Sequence, residues 1–305
     1  MISVVIPVYN EERLVGLLHQ RVSGVMKAMG IPYEIIVVDD GSTDQSLEKM
    51  KTVHALDANF KVLVLSRNFG HQAAYTAGLN YAKGDYVVMM DGDLQDPPEV
   101  IRNMYEKAVA EKLDVVYGKR LGREEGLFKR LLIRLFHIAF SRINGIGAPA
   151  DTGNFSILSR LAVNEMIRLQ EKTRYLPGLR YFIGFNQGYV EYHRPDREVG
   201  EAKMSYRKLI RLALDAIFSF SNIPIRFSMY VGIIGIIIFF IAGIYSLASK
   251  LMGIATVGWS STLLSIYFLG SIQLLFMGII GEYVYRTYTE SQNRPIYIVR
   301  EWVDE

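Results

Sequence analysis

Residues 86–93 read YVVMMDGD, an apolar run that ends in two aspartates separated by a glycine. A short apolar run bounded by turn residues is typical of a strand that is buried on both faces. Residues 72–82 before it fit a helix, and Pro97 and Pro98 after it open another helix that runs to about Ala110. This stretch therefore predicts a buried strand between two helices, with carboxylates at its carboxyl end.

The same alternation of strands and helices continues in both directions along the chain. Spacing of this kind predicts an α/β fold with a doubly wound, mostly parallel sheet. Open sheets of this class bind ligands beyond the carboxyl ends of their strands. The predicted strands are Ile2–Pro7, Tyr33–Val38, Lys61–Leu65, Tyr86–Met90 and Val115–Tyr117, and further helices are predicted over 11–30 and from Thr43 or Asp44 towards Ala55.

Three more polar clusters follow predicted strands: PVYNE at 7–11, DDGS at 39–42 and SRNFG at 66–70. The Tyr9 ring can stack against a base, and the Asp39 carboxylate can accept hydrogen bonds from a base N–H or from ribose hydroxyls. Each cluster alone fits an ordinary turn or helix cap, but together they indicate a nucleotide site. The sequence has neither a dinucleotide-binding nor a P-loop glycine fingerprint. From these clusters the candidate nucleotide contacts are Tyr9, Asp39, Asp40 and Arg67.

The Asp91-Gly92-Asp93 turn is a candidate cation site. Hard divalent cations prefer oxygen ligands, and Mg²⁺ commonly joins one or two carboxylates to substrate phosphates. Gln95 follows with alternating spacing and can add an amide oxygen. A cation held here would neutralise a diphosphate leaving group. We therefore expect Mg²⁺ or Mn²⁺ at Asp91, Asp93 and Gln95.

Composition narrows the class of protein. The chain has 305 residues, half of them apolar, a net charge of +3 and no cysteine. The length suits one α/β domain with an appendage, and the small net charge gives no indication of a nucleic-acid partner. The lack of cysteine excludes disulfides and cysteine-based zinc sites or nucleophiles. The N-terminus shows no signal-peptide pattern, so we expect the N-terminal domain to stay in the cytoplasm.

Two long uncharged segments, 227–249 and 251–281, follow the α/β region. Each is long enough to cross a hydrocarbon core of about 30 Å. We predict transmembrane helices at about 227–249 and 261–283, joined by a short loop at 253–260. Basic residues flank both outer ends while the loop region has only Lys250, so the positive-inside rule predicts cytoplasmic flanks. The alternative is a pair of buried helices in a soluble protein.

Two basic amphipathic stretches, at about 127–144 and 205–221, lie before the first span. Ordinary core helices are one interpretation. Because both are basic and the second leads into a span, we favour helices that lie on an anionic membrane surface.

The predicted organisation has three parts. Residues 1–225 form the catalytic domain, 226–286 form the membrane hairpin, and 287–305 form a cytoplasmic tail. The tail carries a short strand at Pro295–Val299, which could pair with the main domain or a neighbouring subunit. Glycine and alanine in the predicted spans permit close packing between helices, which is compatible with a homo-oligomer.

The chain resembles glycosyltransferase family 2 and its GT-A type fold. The motifs that carry the resemblance are VVIPVYNEE, IIVVDDGSTD, LSRNFGHQAAYTAGL and VVMMDGDLQDPPE, followed by DTGNFSILSR at 151–160 and GEAKMSYRKL at 200–209. They are most similar to the polyprenyl-phosphate glycosyltransferases, which include dolichyl-phosphate mannose synthases and bactoprenol glucosyltransferases. The two-span C-terminal part, with GEYVYRTYTESQNRPIYIV, is closer to the bactoprenol group. The resemblance covers nearly the whole chain.

The resemblance implies an inverting transfer of a hexose from a nucleoside diphosphate sugar, with UDP-glucose first, to a polyprenyl (undecaprenyl) phosphate at the cytoplasmic membrane face. The lipid bilayer is then a further partner. Other UDP-sugars or aminosugar derivatives stay open. By the resemblance, Pro7, Tyr9, Glu11, Asp39 and Asp91 contact the nucleotide part, Asp93, Asp151 and Asn154 are the catalytic candidates, and Arg120, Arg130, Arg134, Arg197 and Lys203 are candidates for the lipid phosphate or the leaving diphosphate.

The acceptor chemistry sets the expected role of Asp151. A hydroxyl acceptor needs a general base, whereas a phosphate monoester is already anionic near neutral pH. We therefore expect Asp151 to orient the sugar rather than to abstract a proton. A processive polysaccharide synthase is less favoured because its Gln-x-x-Arg-Trp motif is absent, and a silent scaffold is less favoured because Asp91 and Asp93 are both present.

Overall fold

The structure is a computed structural model that describes residues 1–121, 152–172, 174–193, 223–252 and 258–304. The chain divides into two compact units, Met1–Met204 with Pro295–Glu305, and Ser205–Arg294. The predicted interfacial helices at about 127–144 and 205–221 lie outside the described residues.

The first unit is built on an eight-stranded sheet in the order β7-β5-β6-β4-β1-β2-β3-β8. Neighbouring strands from β4 to β3 run parallel, whereas β6 and β8 run against them. The mostly parallel sheet predicted from the sequence is therefore confirmed. The strands are β1 (Ile2–Val8), β2 (Tyr33–Asp39), β3 (Phe60–Leu65), β4 (Tyr86–Met89), β5 (Val115–Leu121), β6 (Thr152–Ser159), β7 (Gln187–His193) and β8 (Val299–Val303).

Helices connect and flank the strands of this sheet. All seven residues of β1 are buried, as expected for a central parallel strand covered on both faces. The helices of this unit are α1 (Val15–Met29), α2 (Ser46–Leu56), α3 (His71–Tyr81), α4 (Val100–Ala110), α5 (Arg160–Arg168) and α6 (Leu176–Phe182).

Helix α3 packs unusually close to the sheet at Gly78. A Cβ atom built on Gly78 would stand 2.3 Å from a Val5 methyl and 3.0 Å from a Val38 methyl, so only glycine fits there. Because α3 is the next element after β3, its first turn lies at the carboxyl edge of the sheet, and Gly78 permits its close packing on β1 and β2.

The strand expected at Pro295–Val299 begins instead at Val299. It is β8, which pairs antiparallel with β3 and completes that edge of the sheet. A polar network reinforces the pairing: Lys61 Nζ lies 2.5 Å from Asp304 and 3.1 Å from the buried Glu34 carboxylate. Glu34 also accepts a hydrogen bond of 2.6 Å from the Ser3 hydroxyl. The C-terminal strand is thus held both by backbone pairing and by buried charge.

The second unit contains two long helices, α7 (Ile223–Leu251) and α8 (Trp259–Ser291). Both are long and apolar enough to cross a membrane, with span windows at Ser228–Tyr245 and Phe268–Ser291. Trp259, expected in the connecting loop, is the first residue of α8. Within the described part of these helices, most of the large apolar side chains are exposed and none is fully buried.

Candidate active site

The predicted functional residues that lie in the described part of the chain converge at one edge of the sheet. Strands β1 to β4 all end there, because they are parallel. Strand β6 runs the other way and begins at the same edge, since Met89 of β4 pairs with Ser156 and Asn154 lies beyond that pair. Arg120 near the end of β5 pairs with Tyr192 of β7 at this edge as well.

Asp91 follows β4 and is held by two side chains of α3. The Tyr75 hydroxyl donates to Asp91 Oδ1 at 2.7 Å, and His71 Nε2 lies 3.2 Å from the same oxygen. Burial disfavours the charged carboxylate, but the contacts with His71 and Tyr75 outweigh burial and hold the pKa of Asp91 well below its usual range. Burial opposes protonation of His71, yet Asp91 raises its pKa above the ordinary value. The two side chains therefore form an ion pair.

The turn after Asp91 has a constrained backbone. Leu94 adopts a left-handed conformation, with φ 56°, while its side chain is buried in the core. Asp93 Oδ1 accepts a hydrogen bond of 3.1 Å from the Gln95 backbone N–H. A left-handed leucine is uncommon and persists only where the surroundings enforce it. Burial of Leu94 thus fixes the turn that carries Asp93 and Gln95.

The loops after β1 and β2 are tied together and frame a candidate base pocket. Asn10 accepts a hydrogen bond of 2.8 Å from the Thr43 backbone N–H, and its own N–H donates to Ser42 Oγ at 3.1 Å. Tyr9, directly after β1, is 42% exposed, so its ring is available for stacking. Asp39 is buried, and burial raises its pKa despite the hydrogen bond from Ser42. These loops place an aromatic ring and a carboxylate at adjacent strand ends.

The remaining nucleotide candidates of β1 lie beside these loops. Pro7 is buried within β1 and pairs with Val38 of β2. The backbone N–H of Glu11 donates to Ser46 Oγ at 2.9 Å, which fixes this loop against the start of α2.

Asp40 has a different environment from Asp39. Its two carboxylate oxygens accept hydrogen bonds from the backbone N–H groups of Phe69 and Gly70, at 2.7 and 3.0 Å. Asp40 therefore links the β2 and β3 loops. Arg67 in the second loop is exposed and lies 4.4 Å above the Phe69 ring.

Arg120 belongs to a buried cluster with two partners. Its Nη2 lies 3.4 Å from the fully buried Asp96 carboxylate, and its Nε donates to the Tyr192 hydroxyl at 3.1 Å. The Tyr192 hydroxyl in turn donates to Asp96 at 2.5 Å. The Arg120 guanidinium is thus fixed near Asp91, whose charge it also feels.

Asn154 at the start of β6 is anchored through its backbone by a buried arginine. Arg180 of α6 donates to the carbonyl oxygens of Asn154 and Gly153 at 3.2 and 2.9 Å, and to Ser156 Oγ at 2.7 Å. Burial lowers the pKa of Arg180 to about 10. Arg180 therefore fixes the backbone that follows Asp151.

Several predicted residues lie outside the described part of the chain, namely Asp151, Arg130, Arg134, Arg197 and Lys203. Other residues of the edge were not singled out from the sequence: His71, Tyr75, Asp96, Arg180 and Tyr192. Spacing alone contains a signal for the first two, because residues i and i+4 of a helix share a face. Asp96, Arg180 and Tyr192 meet their partners only through the tertiary fold.

The donor set at this edge fits a divalent cation that is shared with a substrate. Among the described residues, no group of three or more His, Cys, Asp or Glu side chains is arranged to hold a metal. Two carboxylates and an amide, at Asp91, Asp93 and Gln95, suit Mg²⁺ or Mn²⁺ when phosphate oxygens and water complete the coordination. The residues therefore fit a cation that binds together with a diphosphate.

Comparison with known proteins identifies the family. The model of the family described as glycosyl transferase family 2 matches residues 3–167. The Bacillus subtilis (strain 168) protein named uncharacterized glycosyltransferase YkcC is 41% identical over 98% of this chain and 93% of its own length. The bactoprenol glucosyl transferase of Shigella phage SfV is 36% identical over 98% of both chains.

A solved structure shares the fold at low sequence identity. Glucosyl-3-phosphoglycerate synthase from Mycobacterium tuberculosis, solved with Mn²⁺, UDP-glucose and phosphoglyceric acid, aligns with a TM-score of 0.52 and 18% identity, over 72% of this chain and 77% of that one. The likeness extends to the fold alone and confirms the GT-A type.

The chain belongs to glycosyltransferase family 2. It is a glycosyltransferase with full-length relatives named bactoprenol glucosyl transferases, and the resemblance seen in its motifs is confirmed.

Proposed function

We propose that this enzyme transfers a hexose, with inversion, from a UDP-sugar to a polyprenyl phosphate at the cytoplasmic membrane face, and that UDP-glucose and undecaprenyl phosphate are its substrates. The observation that carries the proposal is the position of Asp91 and Asp93 beside the Tyr9 and Asp39 loops at one sheet edge. Full-length similarity to bactoprenol glucosyl transferases supports the acceptor class and the sugar.

The nucleotide part of the donor is assigned to the loops after β1 and β2. Tyr9 stacks on the base, and Asp39 accepts hydrogen bonds from the base or the ribose. Pro7 and Glu11 shape the same loop, and Arg67 is exposed next to it. Asp40 contributes indirectly, since its carboxylate holds the β3 loop in place.

The diphosphate is assigned to Asp91, Asp93 and Gln95 together with Mg²⁺ or Mn²⁺. When bound, the cation supplies charge neutralisation for the departing diphosphate. The side chains orient that end of the donor, and Arg120, fixed by Asp96 and Tyr192, adds positive charge near Asp91.

The proposed acceptor is a phosphate monoester, which is already anionic near neutral pH and does not need a general base. An acceptor phosphate oxygen attacks the anomeric carbon while the bond from that carbon to the UDP oxygen breaks, which inverts the configuration. Alignment and charge screening are the main requirements. Asp151 and Asn154 are proposed to orient the sugar, and Asp93 is the third catalytic candidate. The basic candidates for the lipid phosphate are Arg120, Arg130, Arg134, Arg197 and Lys203.

Membrane attachment is assigned to α7 and α8, which are proposed to cross the bilayer as a hairpin. Because β8 follows both helices and pairs with β3, the chain must return to the side of the membrane from which it departed. Two crossings satisfy this requirement. The basic flanks favour the cytoplasm as that side.

The activity is testable with full-length protein in detergent or nanodiscs. Incubation with UDP-glucose, undecaprenyl phosphate and Mn²⁺ or Mg²⁺ should give one lipid product, heavier than the acceptor by a single hexose residue in mass spectrometry, and EDTA should abolish its formation. A panel of UDP- and GDP-sugars then ranks the donors. A polymeric product would favour a processive synthase, and UDP-sugar binding without any turnover would favour a silent scaffold.

Replacing Gly41 by alanine should weaken UDP binding by at least about tenfold, because the β2 loop, which carries part of the proposed nucleotide site, would be forced away from the β3 loop. Gly41 has φ 72°, and a Cβ there would stand 2.6 Å from the backbone carbonyl carbon of Arg67 and 2.6 Å from the backbone nitrogen of Asn68. Gly30→Ala is the matched control, since Gly30 has φ 67° with nothing within 4 Å of the added atom. The control should lower stability by about 1–2 kcal/mol and leave UDP binding unchanged. Calorimetric titration with UDP measures both, and equal affinities in the two variants would contradict the loop assignment.

A further inference from the structure

Helix α3 places two side chains against a single oxygen of Asp91. The Tyr75 hydroxyl and His71 Nε2 contact Oδ1 at 2.7 and 3.2 Å. Within the described residues, no hydrogen bond or ion pair reaches Oδ2. One oxygen of the carboxylate is thus fully engaged by protein, and the other is left for a different partner.

The geometry that produces this arrangement is built into α3. His71 and Tyr75 are spaced i and i+4, so they lie on one face of the helix. Their rings meet edge to face, with centroids 4.9 Å apart, which restricts the His71 ring. Gly78, one turn further on, permits the close approach of α3 to β1 and β2. The contacts of His71 and Tyr75 with Asp91 therefore depend on a helix that is itself packed tightly on the sheet.

The Tyr75 hydroxyl is not explained by packing alone. Tyr75 is completely buried, and phenylalanine would fill the same space without a polar atom. A buried hydroxyl needs a partner, and its partner here is the carboxylate that begins the Asp91-Gly92-Asp93 turn. Residues that hold a metal ligand from behind orient it and typically change metal affinity or activity by about 10–100-fold when removed.

We propose that Tyr75 and His71 are positioning residues for the diphosphate site: they hold Asp91 by Oδ1 and so present Oδ2 to the cation. This inference rests on the proposed function, because it gives Asp91 the role of a cation ligand. Neither residue touches the donor; each acts through Asp91.

The test is a titration of full-length protein with Mn²⁺ in the presence of UDP. The electron paramagnetic resonance signal of the free ion measures how much Mn²⁺ stays unbound at each step. Tyr75→Phe should weaken Mn²⁺ binding roughly tenfold, the lower end of the effect of such residues. At saturating Mn²⁺, the Tyr75→Phe variant should recover most of the wild-type kcat. Its defect should instead appear as a higher Mn²⁺ concentration for the half-maximal rate. His71→Ala should act similarly, and His71→Gln, which keeps a donor, should lose less.

Tyr81→Phe is the matched control, because it removes a hydroxyl from the same helix at a ring that packs on Trp302 rather than Asp91. It should bind Mn²⁺ as the wild type does. In an Asp91→Asn background, Tyr75→Phe should cause no further loss, since the residue it acts through has changed.

Each contrary result identifies a different error. If the wild type binds no Mn²⁺ with UDP, the metal assignment and this proposal fall together. If the wild type binds Mn²⁺ and Tyr75→Phe binds it equally well, or only lowers the unfolding temperature, the positioning role alone is overturned. An equal loss in the Asp91→Asn background would also overturn it. If Tyr75→Phe does not fold, His71→Ala decides between the same outcomes, because the His71 side chain is 46% exposed.

Discussion

Replacing Asp93 by asparagine should reduce sugar transfer by roughly 10³-fold, which corresponds to about 4 kcal/mol of lost transition-state stabilisation. The amide keeps the size of the side chain and an oxygen in place but removes the negative charge that a divalent cation prefers. The Asp93 turn is held by the buried, left-handed Leu94, so the substitution should leave the backbone where it is. The loss should therefore be one of chemistry, with the unfolding temperature unchanged.

Asp85→Asn is the control for this experiment. Asp85 directly precedes β4, at the end of the strand opposite to Asp93. Its side chain is 80% exposed and lies 2.7 Å from the N-terminal amine. An exposed pair of this kind contributes at most about 1 kcal/mol to stability, and activity should stay within about twofold of the wild type. Initial rates at saturating donor and acceptor, over a range of Mn²⁺ concentrations, measure both variants. If Asp93→Asn kept more than a tenth of wild-type activity, the cation assignment would be wrong.

Replacing Lys61 by methionine should destabilise the α/β unit by about 3 kcal/mol. The Glu34 carboxylate, with its side chain 4% exposed, would lose its cation while staying buried, and Asp304 would lose one of its two lysine partners. Removal of one member of a buried pair is expensive because the remaining charge has no compensation. Methionine preserves the apolar stem of lysine, so the packing contribution changes little.

Lys51→Met provides the comparison, because Lys51 pairs with Glu301 of β8 while both side chains are about 40% exposed. Its loss should cost less than about 1 kcal/mol. The chain has two tryptophans, and in a Trp259→Phe background Trp302 of β8 reports on this edge by fluorescence. If the Lys61 and Lys51 variants unfolded at the same urea concentration, the buried network would contribute no more to stability than the exposed ion pair.

The sheet was predictable because its strands are continuous apolar runs that stop at charged turns. The apolar runs at 33–39 and 86–89 predict buried parallel strands, and the charged turns that follow them mark the carboxyl edge of the sheet. The exact bounds of β8 were not predictable, because Pro295–Val299 and Val299–Val303 both contain β-branched and aromatic residues that favour a strand. The register that favours the second is set by β3 and by Lys61, which lie far away in the chain.

The clustering of the described candidate residues at one sheet edge was predictable from the sequence, whereas their contacts were less so. Asp39 and Asp40 look equivalent in the sequence, yet the Asp40 carboxylate is engaged by the backbone of the β3 loop. Arg120 was predicted as a phosphate contact, but nothing local indicated that Asp96 and Tyr192 hold it. Such partners are brought together by strand order, which a single sequence does not encode in any local pattern.

The late position of β8 also constrains how the protein is made. Until both long helices have been synthesised, β3 has an open edge, and an unpaired edge strand invites pairing with other chains. At roughly 5–20 residues per second, the interval between the end of β3 and the start of β8 is between about 10 and 50 s. Under the proposed topology, a chain with only one helix in the bilayer would have β8 on the opposite side of the membrane from β3, and the edge of β3 would stay unpaired. In the proposed hairpin, completion of the sheet by β8 therefore depends on the same two helices that would anchor the protein.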